Sequence, residues 1–109
     1  PDEAYLSVMT IGEIRHGVER LVASARRRKL EAWLVRDLPR RFSGRILGID
    51  LNVINAWGRL MAEVEAKGRP LPMADSLVAA TARAWDLELV TRNQVDFEGT
   101  GVHIANPWL

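Results

Sequence analysis

Residues 70–85 read Pro-Leu-Pro-Met-Ala-Asp-Ser-Leu-Val-Ala-Ala-Thr-Ala-Arg-Ala-Trp, and the fold turns on how this stretch is read. Pro70 and Pro72 keep the entering chain out of helical conformation, after which Leu77, Val78, Thr81, Ala84 and Trp85 recur at helical spacing. The stretch is therefore a buried helix with Asp75 in its opening turn. Ala74, Ala79, Ala80 and Ala82 are small enough to let it lie close against a sheet. One acid so placed means little alone; the function depends on which acids join it.

Working outward, residues 87–91 form an apolar strand, 92–101 a polar loop and 102–105 a short strand before Asn106-Pro107-Trp108-Leu109. Upstream, Val53, Ile54, Trp57, Leu60, Met61 and Val64 make the clearest amphipathic helix, with Asp50 as its cap and Lys67-Gly68 closing it. Residues 46–49 are the strand before it, and Ser43-Gly44 a turn before that. Nearer the beginning, residues 4–9 are a strand that passes into a helix through the capping box Thr10-Ile11-Gly12-Glu13. Ile11, Ile14, Val18, Leu21 and Val22 are the apolar stripe of that helix. A basic run at Arg26, Arg27, Arg28 and Lys29 starts another, with Leu30, Trp33, Leu34 and Leu38 on one face and Pro39 as its stop.

Strands alternating with helices predict a three-layer α/β/α domain with a mainly parallel central sheet, residues 1–109 forming a single domain. In such sheets ligands gather at the carboxyl ends of the strands. Glu13, Asp50, Asn93 and Asp96 each follow a predicted strand, and Asp75 opens the helix that runs back to feed the third. Topology collects them on one rim. With 109 residues the chain can bury one modest core, and 48% hydrophobic with 27% charged residues is the composition of a globular domain. Cysteine is absent, which excludes disulfides and thiolate metal sites. No apolar run is long enough to span a membrane, and the net charge is +1.

Crowded carboxylates repel one another unless cations sit between them. Oxygen donors without cysteine or a histidine pair suit Mg²⁺ or Mn²⁺, ions that can activate a water and neutralise charge developing on a phosphodiester. Each acid also has an ordinary role. Glu13 is the acid a capping box requires, Asp75 complements a helix dipole, Asp50 is a good cap, and Asn93 and Asp96 are common turn residues.

Leu6-Ser7-Val8-Met9-Thr10-Ile11-Gly12-Glu13-Ile14-Arg15-His16-Gly17, the Ala74-Asp75-Ser76-Leu77-Val78-Ala79-Ala80-Thr81-Ala82 helix, Thr91-Arg92-Asn93 with Asp96-Phe97, and Asn106-Pro107-Trp108 together resemble the PIN-domain toxins of the VapC and FitB type. The resemblance covers nearly the whole chain, in order. It implies a Mg²⁺- or Mn²⁺-dependent endoribonuclease acting on RNA in the bacterial cytoplasm. It also implies one half of a toxin–antitoxin pair, held inactive by a cognate antitoxin and assembled as a homodimer or larger complex. By matching position Glu13, Asp75 and Asp96 are the metal-site acids, and Thr91 and Asn93 the polar residues that support them. Family members begin with a strand bearing an Asp-Thr-Asn-like motif that this chain lacks. The chain is therefore expected to be an N-terminally truncated piece, which keeps its upstream peptide noncovalently or fills the gap with another copy.

For RNA contact the candidates are Arg92, beside the acids, and Arg26, Arg27 and Arg28, with Arg40, Arg41 and Arg45 as a further basic group. The ordinary reading of the runs is a solvated helix face. His16 and His103 lack ligand spacing, and Trp33, Trp57 and Trp85 fall on apolar stripes. A second function fits the same acids: a noncatalytic module whose acidic rim receives a basic protein partner. Metal dependence separates the two.

Overall fold

Ser7, rather than Thr10, opens the first helix. In the computed structural model, which describes residues 4–91 and 94–105, strand β1 is Leu6–Ser7 and helix α1 is Val8–Glu19. The Ser7 hydroxyl accepts the Met9 N–H at 3.1 Å and so satisfies an orphan donor three residues earlier than expected. The capping box at Thr10 therefore does not form, and Glu13 lies inside the helix.

Helix α2, Ala25–Ala32, is capped by Ser24, whose hydroxyl accepts the Arg27 N–H at 3.1 Å. The chain then widens into a π-helical turn, Trp33–Asp37, and continues as α3, Leu38–Arg41. Pro39 was expected to end this helix. Instead it sits in the opening turn of α3, where its missing N–H is not needed, while the Leu38 N–H reaches back across the wide turn to the Trp33 carbonyl. Strand β2, Ile46–Leu47, pairs in parallel with β1, Leu6 opposite Ile46 and Ser7 opposite Leu47. Val18, Leu34, Leu38 and Leu47 are buried in this unit, which spans Pro1–Gly48.

The second unit, Ile49–Leu109, is built on two helices. Helix α4, Leu51–Ala66, is capped as expected by Asp50, which accepts the Val53 N–H at 2.9 Å. Helix α5 is Met73–Ala84. Val53, Ala56, Leu60 and Val64 of α4 share a core with Ala79 and Ala80 of α5 and with Phe97. The small residues of α5 thus serve a close helix–helix contact. Gly68 ends α4 with φ +66°, and the chain closes on the helix through Gly68 N–H to Glu65 O at 3.0 Å and Arg69 N–H to Val64 O at 2.9 Å.

Strand β3, Leu89–Val90, pairs in parallel with β4, Ile104–Ala105. Each unit thus carries a two-stranded parallel ladder, and the mixed α/β architecture with parallel strands agrees with the sequence. All four strands are shorter than their apolar runs, because an apolar pattern records a preference for burial while a strand needs a hydrogen-bonded neighbour. Among the described residues no helix is long and apolar enough to cross a membrane.

Candidate functional site

Asp75 is the third residue of α5. Its turn is held from both sides: the fully buried Ser76 hydroxyl donates to Met73 O at 2.6 Å and accepts the Trp57 indole N–H from α4 at 2.9 Å. The Pro72 position offers no side-chain cap, and Asp75 does not reach back to one. Asp96 lies on a single 3₁₀ turn, Val95–Phe97, fixed by the residue beside it, since Phe97 is buried in the core shared by α4 and α5. Thr100, also buried, closes that turn through its hydroxyl on Phe97 O at 2.6 Å.

These two supports bring Asp75 and Asp96 to one open cleft of about 390 Å³, walled by the end of α4, residues 68–72 and the 3₁₀ turn. Among the described residues no lysine or arginine pairs with either carboxylate, although the unit holds a well-made pair elsewhere. Arg83 grips Glu63 at 3.1 and 3.2 Å and Thr100 O at 3.2 Å. Its hydrogen bond holds the Glu63 carboxyl below its usual range. Asp75 shows the opposite behaviour: partial burial, and then the negative charge of Asp96, push its carboxyl above the usual range. The two oxygen donors therefore form a site that a hard divalent cation would relieve.

Glu13 is exposed on α1, in the first unit. Thr91 directly follows β3, its amide donating to Ala105 O at 3.1 Å. Arg92 and Asn93 lie outside the described residues. Arg26 and Arg28 are exposed on α2, whereas Arg27 is engaged by Glu31 at 2.8 Å, Glu19 at 3.3 Å and Leu21 O at 2.9 Å. Arg45 donates to Ala4 O at 2.7 Å and lies 5.2 Å over the Phe42 ring. Asp50 is a cap, as expected. Within either unit no group of three acidic or histidine side chains among the described residues could hold a metal.

Two further charged residues of the cleft, Arg69 and Glu98, carry no signal in the sequence. Arg69 is carried to the cleft by the turn that ends α4, and no periodicity announces that placement.

A model of the PIN domain matches residues 1–101. The chain belongs to the PIN-domain family. Similar to this PIN domain is the VapC ribonuclease Y4jK of Sinorhizobium fredii, 35% identical over 104 residues, 95% of this chain and 74% of that protein. Toxin FitB of Neisseria gonorrhoeae is 31% identical over 107 residues, 98% of this chain and 77% of that one. Among solved structures, FitAB bound to an IR36 DNA fragment matches the PIN domain with a TM-score of 0.92 at 29% identity, covering 99% of this chain and 76% of its counterpart.

Proposed function

We propose that this PIN domain is a divalent-metal-dependent endoribonuclease, the toxin of a bacterial toxin–antitoxin pair. The observation that carries the reading is the pair Asp75 and Asp96 in one cleft, unpaired by cations among the described residues, with the Asp75 carboxyl above its usual range. Placing two acids together without neutralisation is unfavourable, so the arrangement is explained by something it binds. The ribonuclease and toxin named among its relatives support the same reading.

Asp75 and Asp96 would hold Mg²⁺ or Mn²⁺. The ion, when bound, lowers the pKa of a water and neutralises charge on the phosphodiester. The work of this chain is positional. The Trp57–Ser76 contact fixes the turn that carries Asp75, and Phe97 with Thr100 fixes the turn that carries Asp96, so both carboxylates stay oriented when the substrate arrives. Glu13 is proposed as the third acid, and Thr91 and Asn93 as supporting residues, on the resemblance in sequence. A cognate antitoxin, self-association and a cytoplasmic site of action belong to the same proposal.

The test is RNA cleavage by antitoxin-free protein in Mg²⁺ or Mn²⁺, beside Asp75→Asn and a chelated control. Cutting by the wild type alone, abolished by chelator, is the expected result. A folded wild type that leaves several RNA classes intact, yet binds a basic protein partner in chelator, would favour the noncatalytic module instead.

A further inference from the structure

Among the described residues that line the acidic cleft, Arg69 is the one cation. Its guanidinium meets Glu98 through a single contact, Nη2 to Oε2 at 3.5 Å, with the two side chains 47% and 53% exposed. Such a pair contributes little to stability and exchanges readily with solvent or another anion. Arg83 and Arg27 in the same chain each make three contacts, so the looseness of Arg69 is local.

Its base is nevertheless fixed. The Arg69 N–H is bound to Val64 O at 2.9 Å in the turn that ends α4. The stem lies against Gly99, where a Cβ would come to 3.4 Å from Arg69 Cδ, and Gly99 has φ +84°. The neighbouring Lys67 is already spent on Gly99 O at 3.0 Å. What results is a cation on an anchored stem, at the mouth of a cleft whose acids would repel a polyanion, held by one weak partner.

We propose that Arg69 is a substrate-binding residue that releases Glu98 to take a backbone phosphate of single-stranded RNA beside Asp75 and Asp96. Glu98 is then its resting counter-ion and competes with the substrate. The guanidinium fork suits phosphate oxygens better than the single contact it makes at rest. This inference rests on the ribonuclease reading and adds to it the residue that receives the substrate.

The sign of two substitutions tests it. Affinity of the full chain for a fluorescein-labelled mixed-sequence single-stranded RNA is measured by anisotropy across a salt series in Mg²⁺, with Asp75→Asn present so that nothing is cut. Cleavage kinetics of the same RNA are measured without that substitution. Arg69→Gln should weaken binding about five- to tenfold, the scale of one charge-assisted phosphate contact. It should also make the slope of log affinity against log salt shallower by about 0.7, the loss of one single-strand phosphate contact. Arg69→Lys should restore the slope. Glu98→Gln should move the other way, tightening binding about two- to threefold by freeing the guanidinium, and in cleavage both effects should fall on KM. A purely structural pair would shift both variants in the same direction. That result, or an Arg69→Gln variant that binds like its parent while the wild type still cuts RNA, overturns the proposal. RNA neither bound nor cut by the wild type removes the ribonuclease reading, and this inference with it.

Discussion

Asp75 carries its charge at a cost to the fold. Its carboxyl is raised first by burial and then by Asp96, so the folded state holds the proton more tightly than the unfolded chain does. The penalty is absent below the ordinary carboxylate pKa and complete above the raised one. The Asp75 contribution to metal-free stability should therefore fall as pH rises through that interval, and since Glu63 contributes in the opposite sense, it is read as the difference between wild type and Asp75→Asn. Asp75→Asn should remove this dependence and raise the metal-free melting temperature at neutral pH, while cutting RNA cleavage by at least about 100-fold. Denaturant titrations between pH 3 and 7 on both proteins check the sign. Glu13, the proposed third acid, calls for a separate comparison of stability and activity. It is exposed and, among the described residues, enters no ion pair. Glu13→Gln should alter stability by less than about 0.5 kcal/mol yet abolish cleavage, and a fully active Glu13→Gln protein would remove it from the proposed set. At this scale the sequence reveals Asp75, because prolines and a small-residue helix mark its position. It does not reveal Arg69 or Glu98, whose meeting depends on a turn and the swing of two long side chains.

Helix boundaries depend on caps and turns more than on apolar spacing. The stripe on α4 is legible because burial repeats with the helical period: Val53, Leu60 and Val64 are buried and Trp57 and Met61 pack against the same core, whereas Ile54 at the edge of the stripe is exposed. The start of α1 is not, because Ser7 and Thr10 are both competent caps and only Ser7 lies at the end of the β1 ladder. Pro39 misleads for a related reason: a stop requires that an N–H be missed, and the π-helical turn before it leaves none to miss. Two substitutions at helix ends test the closing turns in opposite senses. Gly68, at φ +66° with open space around it, should cost about 1 kcal/mol when replaced by alanine, since only the backbone conformation is penalised. Asp86 ends α5 at φ +52° without being glycine, through Asp86 N–H to Arg83 O at 3.3 Å and Leu87 N–H to Ala82 O at 2.8 Å. Asp86→Gly should stabilise by up to about 1 kcal/mol, and equilibrium unfolding of both variants measures the contrast.

Across the whole chain, a bound cation should make itself felt as stability. If Asp75 and Asp96 hold Mg²⁺ or Mn²⁺, metal at about one hundred times its dissociation constant should add about 2.7 kcal/mol, seen as a rise in melting temperature that Asp75→Asn lacks. An equal rise in both proteins would place the ion elsewhere. The broad class of the molecule was legible from alternating apolar runs, while the length of its strands was not, for a ladder is a property of two segments at once. Thr100 gives the same point a different expression. Buried in a stretch that is neither helix nor strand, it donates both its hydroxyl, at 2.6 Å, and its amide, at 3.2 Å, to the Phe97 carbonyl. Its amide deuterium should therefore be taken up slowly, an island of protection in a loop, and the timescale on which that island opens sets how long Asp96 stays aimed at the cleft.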